Sequence, residues 1–254
     1  MNDAPDPDNA AGFHSSVDDV FGRIASRYDL LSDLFSFGIH RLWKRRVATL
    51  IAQESWTTLL DAAAGTGDVI VQVARNQRVR PPQMIIASDI SPQMLAIARQ
   101  RAAGLDPVLE FQVLDAHAMP SIPDSSVDLY SISLALKICD RTRVFREAMR
   151  VLRPGGRLIS LEASSVSPGW LHRLYLRYMS ICMPIIGWLA TVGDASAYRY
   201  LLKGIQDFPT AEELANELSC MGFLDVSFER LSLGVVAIHV ARKAPSSTDH
   251  ADRR

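Results

Sequence analysis

Apolar positions recur at helical spacing where the chain opens and at strand spacing after it. Val17, Val20, Phe21 and Ile24 predict a helix over Val17 to Tyr28, and Ile39 to Ile51 predicts a second. From Thr57 short apolar runs alternate with amphipathic stretches. Thr58 to Leu60 runs into Asp61 and a small-residue loop, Ala62 to Asp68, followed by a helix from Val69 to Arg75. Met84 to Asp89 is a short buried strand. Ser91 and Pro92 then read as N-cap and first residue of a helix reaching about Ala102. Further strands are predicted at Leu109 to Leu114 and Val127 to Ser133. Arg143 to Val151 is helical and stops at Pro154-Gly155-Gly156, a turn before a strand from Arg157 to Glu162.

Strands alternating with helices imply right-handed crossovers, hence an α/β fold whose doubly wound sheet holds five parallel strands. Ser167 to Ile205 interrupts the alternation with two long helical stretches. Pro209-Thr210 caps a helix from Ala211 to Met221. Strands Val226 to Leu231 and Val235 to Ala241, joined by Ser232-Leu233-Gly234, form an antiparallel hairpin at one sheet edge. The predicted organisation is a single domain, 17–243, between two polar disordered tails, 1–16 and 244–254. Within it lie N-terminal helices (17–55), a cofactor-binding core (57–163), a helical insert or lid (167–206), and a terminal helix and hairpin (209–243).

Composition narrows the function classes. A length of 254 residues with 48% hydrophobic side chains suits one domain or slightly more. The 27 basic and 28 acidic residues nearly cancel, which argues against nucleic acid as a partner and gives no pull toward anionic lipid. Cys139, Cys182 and Cys220 are far apart and odd in number, so no disulfide framework and no metal site is expected. Met1 to Ala10 carries aspartates and prolines but no base, the opposite of a secretory leader. The longest uncharged apolar run, Met179 to Val192, contains Pro184 and falls short of the ~20 residues of a membrane span. A soluble, cytoplasmic protein is expected.

In an open α/β sheet the ligand sits beyond the carboxyl ends of the strands, beside the first strand. Gly65-Thr66-Gly67 falls there. Asp89, ending the second strand, is placed to accept from a ribose diol, and Asp115, after the third, to meet a purine. A dinucleotide loop needs a third small residue where this chain has Ile70, and a phosphate-binding loop needs Gly-Lys-Ser/Thr where it has Gly67-Asp68-Val69. An acid at position 68 repels phosphate and suits a cationic amino-acid head. The ligand favoured is S-adenosylmethionine, over NAD. The plainer alternatives are a tight turn with nothing bound, and Asp89 as a helix-capping residue.

Several longer motifs resemble one family. They are Phe21-Gly22 with Ala25 to Asp29, Ser36 to Lys44, Leu60-Asp61 with Gly65 to Asp68, Arg150 to Gly156, Asp194 with Tyr198 to Leu201, and Gly234 to Ala237. Together they are similar to the ubiquinone/menaquinone biosynthesis C-methyltransferases, class I methyltransferases with a Rossmann-like sheet, from Val17 to about Arg242. The resemblance implies cofactor contacts at Thr66, Asp89, Asp115, Ala116 and Ser133, with Asp61, Gly65 and Gly67 completing the cofactor set. It implies transfer to a quinol or phenolic ring, a small lipophilic partner.

The chain departs from the family pattern at defined places. Asp115 stands where enterobacterial members have Asn, Ala64 for a Gly, Ser32 for an Asn and Gly204 for a Ser. After Ser133 the family usually reads Phe-Gly-Leu-Arg-Asn-Val, and this chain reads Leu134 to Cys139. Lys137 keeps the charge but loses the planar fork, and Ile138 removes an amide. A paralogue with a changed lipophilic acceptor, or a degenerate cofactor-binding scaffold in a quinone-biosynthesis assembly, are the alternatives this raises. Ring methylation needs a base, or a cation that favours the phenolate. Tyr28, Asp29, Lys137 and Tyr198 are the catalytic candidates, ahead of His40, Asp194 and Tyr200. His40 reads rather as a packed or solvent-facing side chain, and Asp194 as a helix cap. Met179 to Val192 is either core or a greasy lid for a polyprenyl tail, which would bring peripheral contact with the inner membrane face. A homodimer is the other partner considered.

Overall fold

The computed structural model describes residues 28–76, 83–105, 108–166, 169–190 and 202–246. The helix expected over Val17 to Tyr28 lies outside them but for its last residue, as do 1–16, 191–201 and 247–254.

The described chain opens on α1 (Tyr28–Ser36), a helix the sequence pattern does not single out, followed by α2 (His40–Gln53). Phe37 and Gly38 stand between them at φ of 51° and 75°, and Gly38 N–H donates to the Asp33 carbonyl at 2.9 Å. That is a left-handed helix stop, with glycine at the residue that needs it. Arg41 Nε donates to Asp33 Oδ1 at 2.8 Å and fixes the corner. α2 buries Trp43, Val47, Ala48 and Ile51, one face at helical spacing.

The alternation that follows is β1 (Thr58–Ala62), α3 (Asp68–Ala74), β2 (Met84–Asp89), α4 (Pro92–Arg101), β3 (Val108–Val113), β4 (Val127–Ser133), α5 (Arg141–Val151) and β5 (Leu152–Ala163). α6 (Gly169–Ala190), α7 (Ala211–Cys220), β6 (Phe223–Leu231) and β7 (Val236–Lys243) complete it. The sheet order is β3-β2-β1-β4-β5-β7-β6. β3, β2, β1, β4 and β5 pair in parallel, while β7 runs antiparallel between β5 and β6. This is the doubly wound α/β sheet with a terminal antiparallel hairpin that the alternation predicts. Neighbouring strand residues enter opposite cores: Leu59, Ile85 and Leu129 join the cluster with α2 and α3, whereas Leu60, Ile86 and Tyr130 join the one with α5 and α7. Both faces are therefore covered, and the order reverses at β1, leaving a crevice at the carboxyl ends of β1 and β4.

Local chemistry sets the boundaries. Ser91 Oγ accepts from Met94 N–H ahead of Pro92, as expected, and Thr210 with Glu213 forms a reciprocal capping box at α7. Two expectations are corrected. Pro154-Gly155-Gly156 is not a turn ahead of β5 but a bulge inside it, since Leu152 already pairs with Val127 and Arg157 with Leu129. A Cβ on Gly156 would stand 2.9 Å from the Arg153 carbonyl and 3.0 Å from that of Asp128. β6 starts at Phe223 rather than Val226, because a second irregularity, with Asp225 at φ 51°, hides its first residues.

The insert supplies α6, one helix of 22 residues, tied to the α1–α2 corner by the stacked rings of Phe37 and Tyr178, 5.9 Å apart. Of the run Met179 to Val192, Met179 is buried and Ile181 is exposed. Among the described residues no helix is long and apolar enough to cross a membrane.

Candidate functional site

The carboxyl ends of β1, β2 and β4 bring the glycine loop, Asp89 and Ser133 to one edge of the sheet. Gly65 and Gly67 both have positive φ, 57° and 81°. A Cβ on Gly67 would stand 2.8 Å from Ala98 Cβ, so α3 and α4 can close on each other only over a glycine. A Cβ on Gly65 would have no neighbour within 4 Å, so the backbone there faces open space. Thr66, between them, is buried and accepts from Arg101 NH1 at its Oγ1, 3.1 Å away.

Asp89 holds the loop. Its Oδ2 accepts from Gly65 N–H at 2.8 Å and its Oδ1 from Ser91 N–H at 2.9 Å. Capping is therefore part of its role. Asp61 lies deeper, fully buried under the loop, with Ser131 Oγ donating to its Oδ1. Burial pushes its carboxyl up to about 7, against the pull of the Ser131 bond.

Asp68 corrects an expectation. Lys44 Nζ from α2 donates to its Oδ2 at 2.8 Å and Arg101 NH1 from α4 to its Oδ1 at 2.9 Å. Its negative charge is answered by two cations, so it does not offer itself to a cationic ligand head. It ties the N-terminal helices to the glycine loop. The sequence reading gave Lys44 and Arg101 no part; only a partner across the fold reveals them.

Asp115 is locked by His117. Asp140 N–H donates to His117 Nε2 at 2.9 Å, so in the neutral ring Nδ1 carries the hydrogen and donates to Asp115 Oδ1, 2.6 Å away. His117 N–H reaches the same oxygen at 2.9 Å. The Asp-x-His spacing was legible and unread. Ala116 is buried beneath, in the core cluster of Tyr130 and Phe145.

At the end of β4, Ser133 Oγ is buried with no hydrogen-bond partner among the described residues. Leu134 follows at φ 57°, and a short 3-10 turn, Leu136–Ile138, carries Lys137, whose Nζ donates to the Leu134 carbonyl. Under the turn lies Glu162 of β5, fully buried and given no role by the sequence reading. Its Oε1 accepts from Ala135 N–H and Leu136 N–H, both at 2.9 Å, and its Oε2 has no partner among the described residues. Burial lifts the Glu162 carboxyl to about 7 and lowers Lys137 below the ordinary lysine value. Cys139 is pushed up to about 12 by burial, which removes it as a thiolate nucleophile. Gly204 seats on the turn: a Cβ there would meet the Lys137 carbonyl at 2.5 Å. Two departures from the family pattern, at 137 and 204, thus touch.

Of the remaining candidates, Tyr28 and Asp29 open α1, and their side-chain surroundings lie outside the described residues, as do Asp194, Tyr198 and Tyr200 altogether. His40 is buried against Ser36 Oγ, 2.8 Å from its Nδ1, and burial lowers its pKa, which matches the packed alternative. Among the described residues no cluster of His, Cys, Asp or Glu could hold a metal. The loop's open face at Gly65, the acids at the strand ends and the orphaned Ser133 hydroxyl suit a ligand with a ribose, a purine amine and no phosphate. S-adenosylmethionine fits that description.

Comparison with known proteins agrees. Residues 10–243 match the model of the ubiE/COQ5 methyltransferase family. The chain is 38% identical over 231 residues to a ubiquinone/menaquinone biosynthesis C-methyltransferase of Rickettsia felis, covering 89% of this chain and 92% of that one. It is 38% identical over 226 residues to the protein of the same name from Acidiphilium cryptum, covering 88% of each. Among solved structures, a SAM-dependent methyltransferase from Thermotoga maritima superposes with a TM-score of 0.61 at 18% identity, over 89% of this chain and 99% of that one. That last likeness speaks for the fold, the first three for descent. The chain belongs to the ubiE/COQ5 methyltransferase family.

Proposed function

We propose that this protein methylates a ring carbon of a quinol or related phenol in ubiquinone or menaquinone biosynthesis. Dependence on S-adenosylmethionine goes with the family; the acceptor is the proposed part. The carrying observation is the row of strand-end groups, from the Asp89-held glycine loop to Ser133, continuing directly into the Lys137 turn. Cofactor-holding and acceptor-facing residues are then one continuous edge of the sheet. When bound, S-adenosylmethionine supplies an electrophilic methyl on a sulfonium. The protein's part is to hold the ribose at Asp89 and the adenine at Asp115, to exclude water, and to favour the ionised form of the acceptor's hydroxyl. Lys137 would do the last, because a cation beside a phenol lowers its pKa and enriches the neighbouring ring carbons. Tyr28, Asp29 and Tyr198 are proposed to border the acceptor.

The acceptors of this chemistry carry greasy tails, and the enzyme is proposed to meet them at a membrane surface. Supporting this, Trp170, Leu174 and Ile181 lie exposed along one side of α6, beside exposed Phe37 of the corner it stacks on. Arg173 and Arg177 are exposed on the same helix. They supply the local positive charge that the near-zero total conceals.

Complementation tests the reading. A strain lacking its quinone ring C-methyltransferase should regain methylated quinone, read by mass spectrometry, when it carries this protein. Persistent demethylquinone, with the purified protein still binding S-adenosylmethionine, would favour a different lipophilic acceptor, the reading that the changed Leu134 to Cys139 segment supports.

A further inference from the structure

Glu162 is fully buried at the carboxyl end of a central strand, with one oxygen engaged twice and the other not at all among the described residues. Buried carboxylate oxygens without partners are rare because they forfeit hydration. The segment it holds is also strained and crowded. Leu134 sits at φ 57°, its N–H is bound by the Leu161 carbonyl at 2.7 Å, and its carbonyl takes Lys137 Nζ. The backbone of Lys137 is covered so closely that only a glycine fits at 204. Strain of this kind persists where the surroundings fix it, and it gathers at functional sites.

We propose that Glu162 is a positioning residue for the acceptor end of the site, holding the Leu134–Ile138 turn by two backbone bonds and serving as the countercharge that keeps Lys137 an ammonium beside the acceptor's ionised oxygen. This rests on the proposed part of Lys137 in methyl transfer and adds the group that acts through it. Lys137 has three N–H donors, of which one reaches the Leu134 carbonyl, so two are left to serve a phenolate. Burial disfavours its ammonium form, and a countercharge offsets that. The charged and titratable groups bearing on the pair are few: Cys139 on the same turn, Glu162 of β5 and Lys44 of α2 around Lys137, with Arg141 of α5 and the turn's own N–H groups around Glu162. Glu162 favours the ammonium and Lys44 opposes it.

Glu162→Gln separates holding from charge, since an amide oxygen still accepts both N–H bonds while the field at Lys137 vanishes. The probe is a nitrophenol, whose absorbance reports its ionisation, bound to the full chain with S-adenosylhomocysteine across a pH series. In the wild type the phenolate should bind more tightly than the phenol, with affinity collapsing on the alkaline side where Lys137 loses its proton. E162Q should move that collapse to lower pH by about one unit or more, with S-adenosylhomocysteine affinity unchanged. Lys137→Met should abolish the phenolate preference. Lys137→Arg, which does not deprotonate in this range, should remove the alkaline collapse, and a collapse retained there counts against the proposal even if E162Q fails to fold. A wild-type profile in E162Q, or an alkaline collapse retained in K137R, overturns the proposal. No methyl transfer enters these measurements, so their outcome stands apart from that of complementation.

Discussion

Gly65 and Gly67, two residues apart and identical in composition, do different work in the loop. At Gly67 a methyl meets Ala98 at 2.8 Å on top of a φ of 81°, whereas at Gly65 the φ of 57° is the only protein-side obstacle. Gly65→Ala should therefore cost about 1 kcal/mol of stability, the left-handed penalty alone, yet lose S-adenosylmethionine affinity at least tenfold because the methyl enters the space the ligand uses. Gly67→Ala should lose both, with overpacking adding roughly 1–3 kcal/mol. Denaturation and calorimetry on the pair check this, and equal affinity in G65A and wild type would remove the loop from the site. Asp61 and Glu162 make a second prediction. Their carboxyls, ordinarily near 3.8 and 4.5, are raised to about 7 by burial. An acid whose folded pKa exceeds its unfolded one binds its proton more tightly when folded. Its contribution is present below the unfolded value and is lost as pH rises through about 7. Stability should fall between about pH 4.5 and pH 7.5, by on the order of 3 kcal/mol at most from Glu162, and E162Q should flatten that slope in urea melts. Asp89 and the glycines were legible because strand-end acids and Gly-x-Gly carry their meaning locally. Glu162 was not: a lone acid closing an apolar strand gains its meaning from the N–H groups of Ala135 and Leu136, which no spacing foretells.

Elements were legible to the degree that their signals are local. β2 and β4 run from Met84 to Asp89 and from Val127 to Ser133, as their uninterrupted apolar patterns predict. β5 and β6 were shortened in the sequence reading because bulges use the same Pro, Gly and Asp that announce turns. α1 went unseen because Tyr28–Ser36 is one short helix between a proposed helix and a glycine stop. The segment 202–206 shows how elements constrain one another. The family's serine at 204 would drive its Cβ into the Lys137 carbonyl, so Gly204→Ser should lower the melting temperature by several degrees and slow methyl transfer. If G204S is neutral in both, the segment 202–206 does not rest on the turn as described. Restoring the family pattern at 137 and 138 should accordingly leave Gly204 in place.

At the scale of the molecule, the proposed site is shared out along the sheet: β1 and β2 end at the groups proposed to hold the cofactor, β4 ends at the turn proposed to face the acceptor, and β5 holds that turn through Glu162. Lys44 and Asp68 join α2 to the glycine loop across 24 residues of chain. The net charge of −1 argues against a nucleic-acid partner but says nothing of how charge is arranged. The exposed α6 face makes a direct prediction. Replacing Trp170 and Leu174 with serine should reduce co-sedimentation with vesicles containing anionic lipid severalfold while leaving S-adenosylmethionine affinity unchanged. Undiminished sedimentation would move membrane contact elsewhere on the surface. Ring-carbon methylation can be read on the purified protein. It is given S-adenosylmethionine with an isotope-labelled methyl and a short-chain demethylated quinol, and the product is read by mass spectrometry and NMR. One S-adenosylhomocysteine should be released per labelled methyl, with that methyl on a ring carbon ortho to a hydroxyl. A methyl found on oxygen, or bound S-adenosylmethionine left unspent with every demethylated quinol, would contradict it.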